Sequence, residues 1–535
     1  MLNLFKIDIK IFLVISSLFF VACGGSGKST FNGREVVDED SNSFKGLNRK
    51  VAIDNSKAIY RIDNVKSGSL TIDVKSKKDL YVLVTSKFDN QNISIGLSKT
   101  NDIVRNRVIN DSNKSIDLIK MRREINNILF SKEATPRYRV LSQSVRDINS
   151  INLGAQERFC IGMNSDRSCS MYINATVKRV VKNIQTPYGL KSLVVWLQNG
   201  NSLSQSSLEK LSNIFLKPGG NNDIYDWESN IFGSEWGDDA QKIDSKLIPK
   251  SDIIDILVYN MNNIGLAGYF WGKDNFKKSS IGASNEKIMF YINSELLKRD
   301  PKETYTTLVH EFQHMIHFYQ RSVIKGIEDS SWYDELMSES IEDLISTKIG
   351  YMGPRHVNPN DGSAGKPGNR GGRYPNFNRY NSISLTSWYN TTKDYSKVSS
   401  FGAFLLRNYN GATLLNKMMY SNYQDEYALL DVTGENNFGN LIAKWGSAVI
   451  LSDRLNAPNG YRYNFGTFQN SSFRGVTYRL GSINFYNYIP SPRFRSSAYL
   501  DKNANLYYKI GNNLKGLYKI DLNIPKGATL TVIAK

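Results

Sequence analysis

Histidine is nearly absent from this chain: four residues in 535. Cysteine is scarcer still, with three, which excludes a disulfide-built scaffold and any array of cysteine zinc fingers. Thirteen prolines are too few for a rigid proline-rich stalk. The apolar run Ile11–Ala22 is twelve residues, well short of the roughly 20 that a helix needs to span a bilayer. Lysine and arginine exceed the acids to leave a net charge of +18, but they are scattered, with no long basic run and no finger spacing. A lysine-rich solvated surface accounts for that charge, and no specific nucleic-acid partner is expected. Hydrophobic residues at 40% and aromatics at 12% exclude a mostly disordered chain.

What is present begins with an export segment. Lys6 and Lys10 precede Ile11–Ala22, and Cys23 follows directly, so Phe20-Val21-Ala22-Cys23 resembles a bacterial lipoprotein signal. Processing would leave a lipid on Cys23 and a membrane-anchored protein at the cell envelope or outer surface; a plain signal peptide and a secreted protein are the alternative. Gly24–Thr30 imitates a phosphate loop, but the glycine required five positions before Gly27 is Ala22, so a flexible tether is the better reading. Cys160 and Cys169 close the short segment CIGMNSDRSC, which in an exported chain reads as a local disulfide.

The expected organisation is a signal peptide over 1–22, a tether over 23–50, a β-rich module with a helical connector over 51–150, a middle domain over 151–455 and a β-rich module over 456–535. Strand patterns recur at both ends, as in Leu80-Tyr-Val-Leu-Val84 and Ala528-Thr-Leu-Thr-Val-Ile533, and Met121–Leu129 has helical spacing. In the middle domain, strands are expected at 171–184, 192–198, 253–259 and 287–292, with a helix near 203–217.

Three of the four histidines fall within eight positions, on a helix whose start is well marked. Asp300 can cap it, Pro301 suits its first position, and Glu303 can reach back to the cap. On this helix lies His310-Glu311-Phe-Gln-His314. Residues i and i+4 are about 6 Å apart along the axis and about 40° apart around it. Two such imidazoles can converge on one zinc ion, while Glu311 stands where it can take a proton from water. A metzincin would require Gly at 317 and His at 320, where this chain has His317 and Gln320. The alternative third ligand is a glutamate on a following helix, and Trp332–Leu344 supplies Glu335, with Glu339 one turn on and able to accept from a ligand histidine's far nitrogen. His317, about 10 Å along the axis from His310, reads as supporting or packing, with a His314/His317 pair as the lesser alternative.

HEFQHMIHF (310–318) and the W-x-x-E-x-x-x-E pattern from Trp332 to Glu339 resemble gluzincins, and more specifically the hyicolysin family of bacterial zinc metallopeptidases. Ile231–Gly237, Ile253–Tyr259, Gly268–Phe270, Tyr395–Tyr409 and Trp445 continue the likeness. The resemblance implies an α+β fold: a two-lobed, thermolysin-like core with a mixed twisted sheet, an active-site helix and a mainly helical second lobe, here flanked by the two β-rich modules. It implies one catalytic zinc held by His310, His314 and Glu335, Glu311 as general base, and Glu339 as orienter. Tyr395 and His356 are the candidates for polarising the substrate carbonyl. The implied partner is a protein or peptide, laid along an edge strand near 287–292. Asp223, Asp226, Glu228, Glu235, Asp238 and Asp239 could bind a calcium ion, but a solvated acidic loop is the preferred reading. Two readings without catalysis remain as rivals, a surface lipoprotein that binds host factors on a protease scaffold and a polyanion-binding protein.

Overall fold

The computed structural model describes residues 47–54, 57–97, 146–261, 266–524 and 527–535. The export segment, Cys23, nearly all of the tether and the Met121–Leu129 helix lie outside these residues. Four strands come first: β1 (Leu47–Ile53), β2 (Ile59–Val65), β3 (Gly68–Thr85) and β4 (Gln91–Leu97). Next are β5 (Gln156–Met163), β6 (Cys169–Thr186) and β7 (Gly189–Gln198), then helices α1 (Gln205–Phe215), α2 (Ile224–Phe232) and α3 (Ala240–Ile243). Strands β8 (Ile253–Tyr259), β9 (Gly268–Phe270) and β10 (Ile288–Asn293) lead into α4 (Ser294–Arg299), α5 (Pro301–His317) and α6 (Ser331–Ile349). Helices α7 (Tyr374–Arg379), α8 (Thr392–Asn408), α9 (Ala412–Tyr420), α10 (Asp425–Thr433) and α11 (Phe438–Ile450) follow. The chain closes with β11 (Gln469–Phe473), β12 (Val476–Leu480), β13 (Ser497–Leu500), β14 (Asn505–Asn523) and β15 (Ala528–Ala534). Among the described residues no helix is long and apolar enough to cross a membrane.

The middle domain is built on a mixed sheet with strand order β5-β6-β7-β8-β10-β9. Strands β7, β8 and β10 run parallel, and β9 pairs antiparallel on the outer side of β10. Every residue of β8 and β10 is buried, as their continuous apolar runs require of parallel strands covered on both faces. The one charge at the centre, Asp255, is met by Arg146 Nη1 at 2.5 Å and Trp196 Nε1 at 2.7 Å. Cys160 and Cys169 are joined in a disulfide across the β5–β6 hairpin, their Cα atoms 5.8 Å apart. The four strands expected in this domain form within a few residues of the expected bounds, and so does α1.

The two ends of the chain do not form separate flanking modules. Strands from both ends make one sheet in the order β13-β4-β14-β3-β15-β2, with β1 also on β3. β3 and β14 pair antiparallel from Gly68↔Leu522 to Thr85↔Asn505. The physical reason is edge satisfaction: either set alone would leave long rows of unpaired backbone groups, and each supplies the other's partners. The alternation of Leu80-Tyr81-Val82-Leu83-Val84 then serves two cores. Leu80, Val82 and Val84 pack with Leu506, Leu530 and Val532 inside this sheet, whereas Tyr81 and Leu83 join the core of the middle domain. The expected boundary at 455/456 also moves, because the β11–β12 hairpin packs on α6 and α9 and Tyr478 Oη donates to Trp227 O at 2.9 Å.

The terminal sheet and the helices come close together at Gly446 of α11. A Cβ there would lie 2.7 Å from both Leu83 Cδ2 and Asn505 Nδ2. Gly446→Val is therefore expected to destabilise the whole chain by about 1–3 kcal/mol through overpacking. Thermal unfolding of the variant checks this, and a melting temperature equal to that of the wild type would show that the sheet and helices do not bear on each other there.

Candidate metal centre

Helix α5 starts as its sequence dictates. Asp300 accepts from Glu303 N at 3.1 Å and Pro301 occupies the first turn. The helix passes under the sheet and packs against α6, and the contacts His310–Glu342 and His314–Asp334 show that the two run antiparallel. That pairing brings Glu335 to both histidines. His310 Nε2 lies 3.0 Å from Glu335 Oε2, and His314 Nε2 lies 3.8 Å from Glu335 Oε1. The three donor atoms are mutually within 4.8 Å, and all three side chains are buried.

The opposite face of each imidazole is held by a carboxylate. His310 Nδ1 is 2.7 Å from Glu342 Oε1, and His314 Nδ1 is 2.9 Å from Asp334 Oδ2. A proton on each Nδ1, shared with its carboxylate, leaves the Nε2 lone pairs directed at the space beside Glu335. Tetrahedral bonds of ~2.1 Å place donors about 3.4 Å apart, between the two separations found here. The residues therefore fit a zinc-like ion in chemistry and in spacing.

Glu311 faces the sheet. Its Oε2 accepts from Phe270 N at 2.9 Å, so the last residue of β9 fixes the carboxylate beside the donors. Tyr395, near the start of α8, places its hydroxyl 3.1 Å from Glu335 Oε1 and 3.2 Å from Asn390 Oδ1. Helix α8 comes this close because Gly402 leaves room for Ser340 of α6, where a Cβ would clash. His356, by contrast, is exposed on the loop before α7, its ring over Gly371.

Several expectations are corrected. At Nδ1 of His310 the close carboxylate is Glu342, in the place expected for Glu339; on an antiparallel partner helix the residue two turns beyond Glu335 is the one that reaches back to the start of the motif. Glu339 is gripped by the fork of Arg373, whose Nε lies 3.0 Å from Oε2. The expected docking strand near 287–292 is internal, paired with β8 on one side and β9 on the other, so the edge belongs to β9. The acidic segment 223–239 is not a solvated loop. Asp223 caps α2, Asp226 accepts from Asn221 N at 2.7 Å, and Glu235 pairs with buried Lys191 at 2.7 Å, while Asp238 and Asp239 alone are exposed. Among the described residues, the groups of three donors that could hold an ion are His310/His314/Glu335 and His310/Glu339/Glu342, and none lies in 223–239. Sequence reasoning missed Asp334, Glu342 and Arg373. Glu342 was legible in principle, since 335, 338/339 and 342 share one helix face.

The Peptidase M30 family model matches residues 175–535, more than half of the chain. This chain belongs to the Peptidase M30 family. No curated protein matches it. As an M30 member it is a peptidase, and the His/Glu cluster on α5 and α6 is its candidate metal site. The match runs from within β6 to the last residue, so it takes in the C-terminal strands of the shared terminal sheet.

Charge in this M30 site is unbalanced without an ion. Burial alone would lower the His314 pKa, but Asp334, with help from Glu335 and Glu311, overrides it and lifts the imidazole to about 10 from its ordinary 6.5. The stability this contributes is complete below about 6.5 and is lost as pH rises through about 10. A ligand nitrogen must be deprotonated, so loading zinc at pH 7 is expected to expel a proton. Calorimetric titration of zinc in buffers of different ionisation enthalpy checks this, and a heat independent of buffer would contradict a protonated His314.

Proposed function

We propose that this peptidase is an exported zinc endopeptidase in which one zinc ion is held by His310, His314 and Glu335. The observation that carries this is the convergence of the three donors while Glu342 and Asp334 hold the histidines from behind. When bound, the ion would supply Lewis acidity, polarising a peptide carbonyl and acidifying a water. Glu311, aimed by the Phe270 amide, takes the proton from the attacking water and delivers it to the leaving amine. Tyr395, beside Glu335, is the side chain placed to donate to the oxyanion as the carbonyl is attacked.

The substrate peptide adds beside β9, the last strand of this sheet among the described residues, so main-chain hydrogen bonds hold it extended. The sheet with α5 forms one wall of a thermolysin-like cleft and the helices from α6 onward the other. The lipoprotein-type segment ending in Cys23 supports an envelope location and a lipid anchor. The Cys160–Cys169 disulfide accords with an oxidising compartment.

The decisive variant is Glu311→Gln. It should bind zinc as the wild type does and lose casein cleavage by about 10²–10⁴-fold, the usual worth of a positioned acid–base group. Wild-type cleavage should stop with a chelator and return with zinc. Cleavage unaffected by Glu311→Gln would remove the glutamate from its role, and absence of bound zinc would sink the metal reading.

A further inference from the structure

His317 lies outside the donor set, yet it is buried and charged groups stand at both of its ring nitrogens. Nδ1 is 3.4 Å from Asp334 Oδ1, the oxygen beside the one that holds His314. Nε2 is 3.1 Å from Asp329 Oδ2. Asp329 is itself gripped by Arg321, with Nε at 2.5 Å and Nη2 at 2.6 Å. Burial alone would raise the Asp329 carboxyl, but Arg321 and His317 hold it below the usual carboxylate range.

Arg321 is fully buried and reaches into the opposite wall. Its Nη1 donates to Ser421 O at 2.8 Å and its Nη2 to Tyr423 O at 2.7 Å, with Met418 O and Met419 O at 3.4 and 3.5 Å. These carbonyls finish α9 and turn toward α10, where a guanidinium also complements the helix terminus. Ser330, at the start of α6, is tied to the same corner through Asp425. The residues from Phe318 to Lys325 continue α5 as a π-helical segment, a backbone form found mostly where a helix serves a site. A path of buried charge thus runs Arg321–Asp329–His317–Asp334–His314.

Stability alone does not account for such a path. Buried ion networks give little net stabilisation over apolar packing of the same volume, whereas they fix geometry well. We propose that His317 is a positioning residue: with Asp329 and Arg321 it ties the orientation of Asp334, and through it the His314 ligand, to the seating of the α9–α10 corner. The proposal rests on His310, His314 and Glu335 being the zinc site.

The test uses the full chain and three variants, His317→Phe, His317→Gln and Arg321→Lys, with Leu83→Ala as a comparison in the terminal sheet, remote from the site in sequence and fold. His317→Phe is expected to weaken zinc in chelator competition by about 10–100-fold, as loss of an outer partner of a ligand does. It should lower kcat with little change in KM and shift the visible absorption of the cobalt-loaded protein. His317→Gln, which keeps a donor, should recover part of each effect. Arg321→Lys keeps the charge but loses the fork, and should move the same readouts in the same direction. Leu83→Ala should lower the melting temperature and leave zinc affinity unchanged. Wild-type zinc affinity and cobalt spectrum in the His317 variants would overturn the proposal, as would losses that track melting temperature equally in Leu83→Ala. If His317→Phe does not fold, His317→Gln and Arg321→Lys decide the matter. A wild-type chain that holds no zinc would instead overturn the metal reading itself, and this proposal with it.

Discussion

The antiparallel contact between α5 and α6 is the constraint on which the rest of the site depends. Two imidazoles on one helix need fixed tautomers and fixed ring planes before their Nε2 atoms can share a target. Helix α6 supplies both requirements from one face: Asp334 and Glu342 take the Nδ1 atoms, and Glu335 closes the triangle between them. Rotating α6 by one residue would put Leu336 in the place of Glu335 and Asp343 in that of Glu342, and Asp343 is already committed to Arg407 at 2.6 Å. The register of this helix pair is therefore specified by charge as well as by packing.

The remaining architecture holds that pair in place from two sides. The central strands deliver the chain from β10 through the short α4 into α5, while β9, on the margin of the sheet, sends the Phe270 amide to Glu311. A polar cluster supports β9 from within: Tyr269 stacks on Tyr291 at 4.3 Å, and Tyr291 bonds to Asp274, which also pairs with Lys273. On the other side, α8 packs on α6, and α11 rests on the sheet made by the two chain ends. A fold in which residues 47–97 and 497–534 share one sheet keeps the N-terminal strands as part of the peptidase body. Removing them as a prosegment would strip β14 and β15 of β3, the partner common to both.

What was legible in the sequence follows from the range of the interactions concerned. The α5 start, the i/i+4 histidines and the short buried strands depend on neighbours within a turn or two, and their residues state them directly. Glu335 was legible because a second helix with an acidic face follows the first. Glu342 at His310 was not separated from Glu339, since both lie on the right face and only the crossing of the helices distinguishes them. The shared terminal sheet was hidden for a different reason: the strands of each end are plain, but pairing across more than 400 residues leaves no local trace. Burial of Asp223, Asp226, Glu228 and Glu235 was equally illegible, because an acidic segment looks solvated until its helix is seen packed in the core.

Charge balance gives the strongest physical argument for a dication. Five buried carboxylates, Glu311, Asp334, Glu335, Glu339 and Glu342, surround two histidines. Arg373 answers Glu339, His317 stands against Asp334, Glu335 meets both ligand imidazoles and the Tyr395 hydroxyl, and Glu342 meets His310. A sixth, Glu228 of α2, is raised well above the usual carboxylate range by its burial and then by the charge of Glu342. Burial alone would lower the His314 pKa, but without an ion Asp334 lifts it to about 10, so the imidazole holds a proton at pH 7. A dication between the Nε2 atoms and Glu335 would neutralise part of the negative charge at one point and release that proton. The local deficit of positive charge, enclosed where water cannot screen it, is what makes these residues suited to a metal.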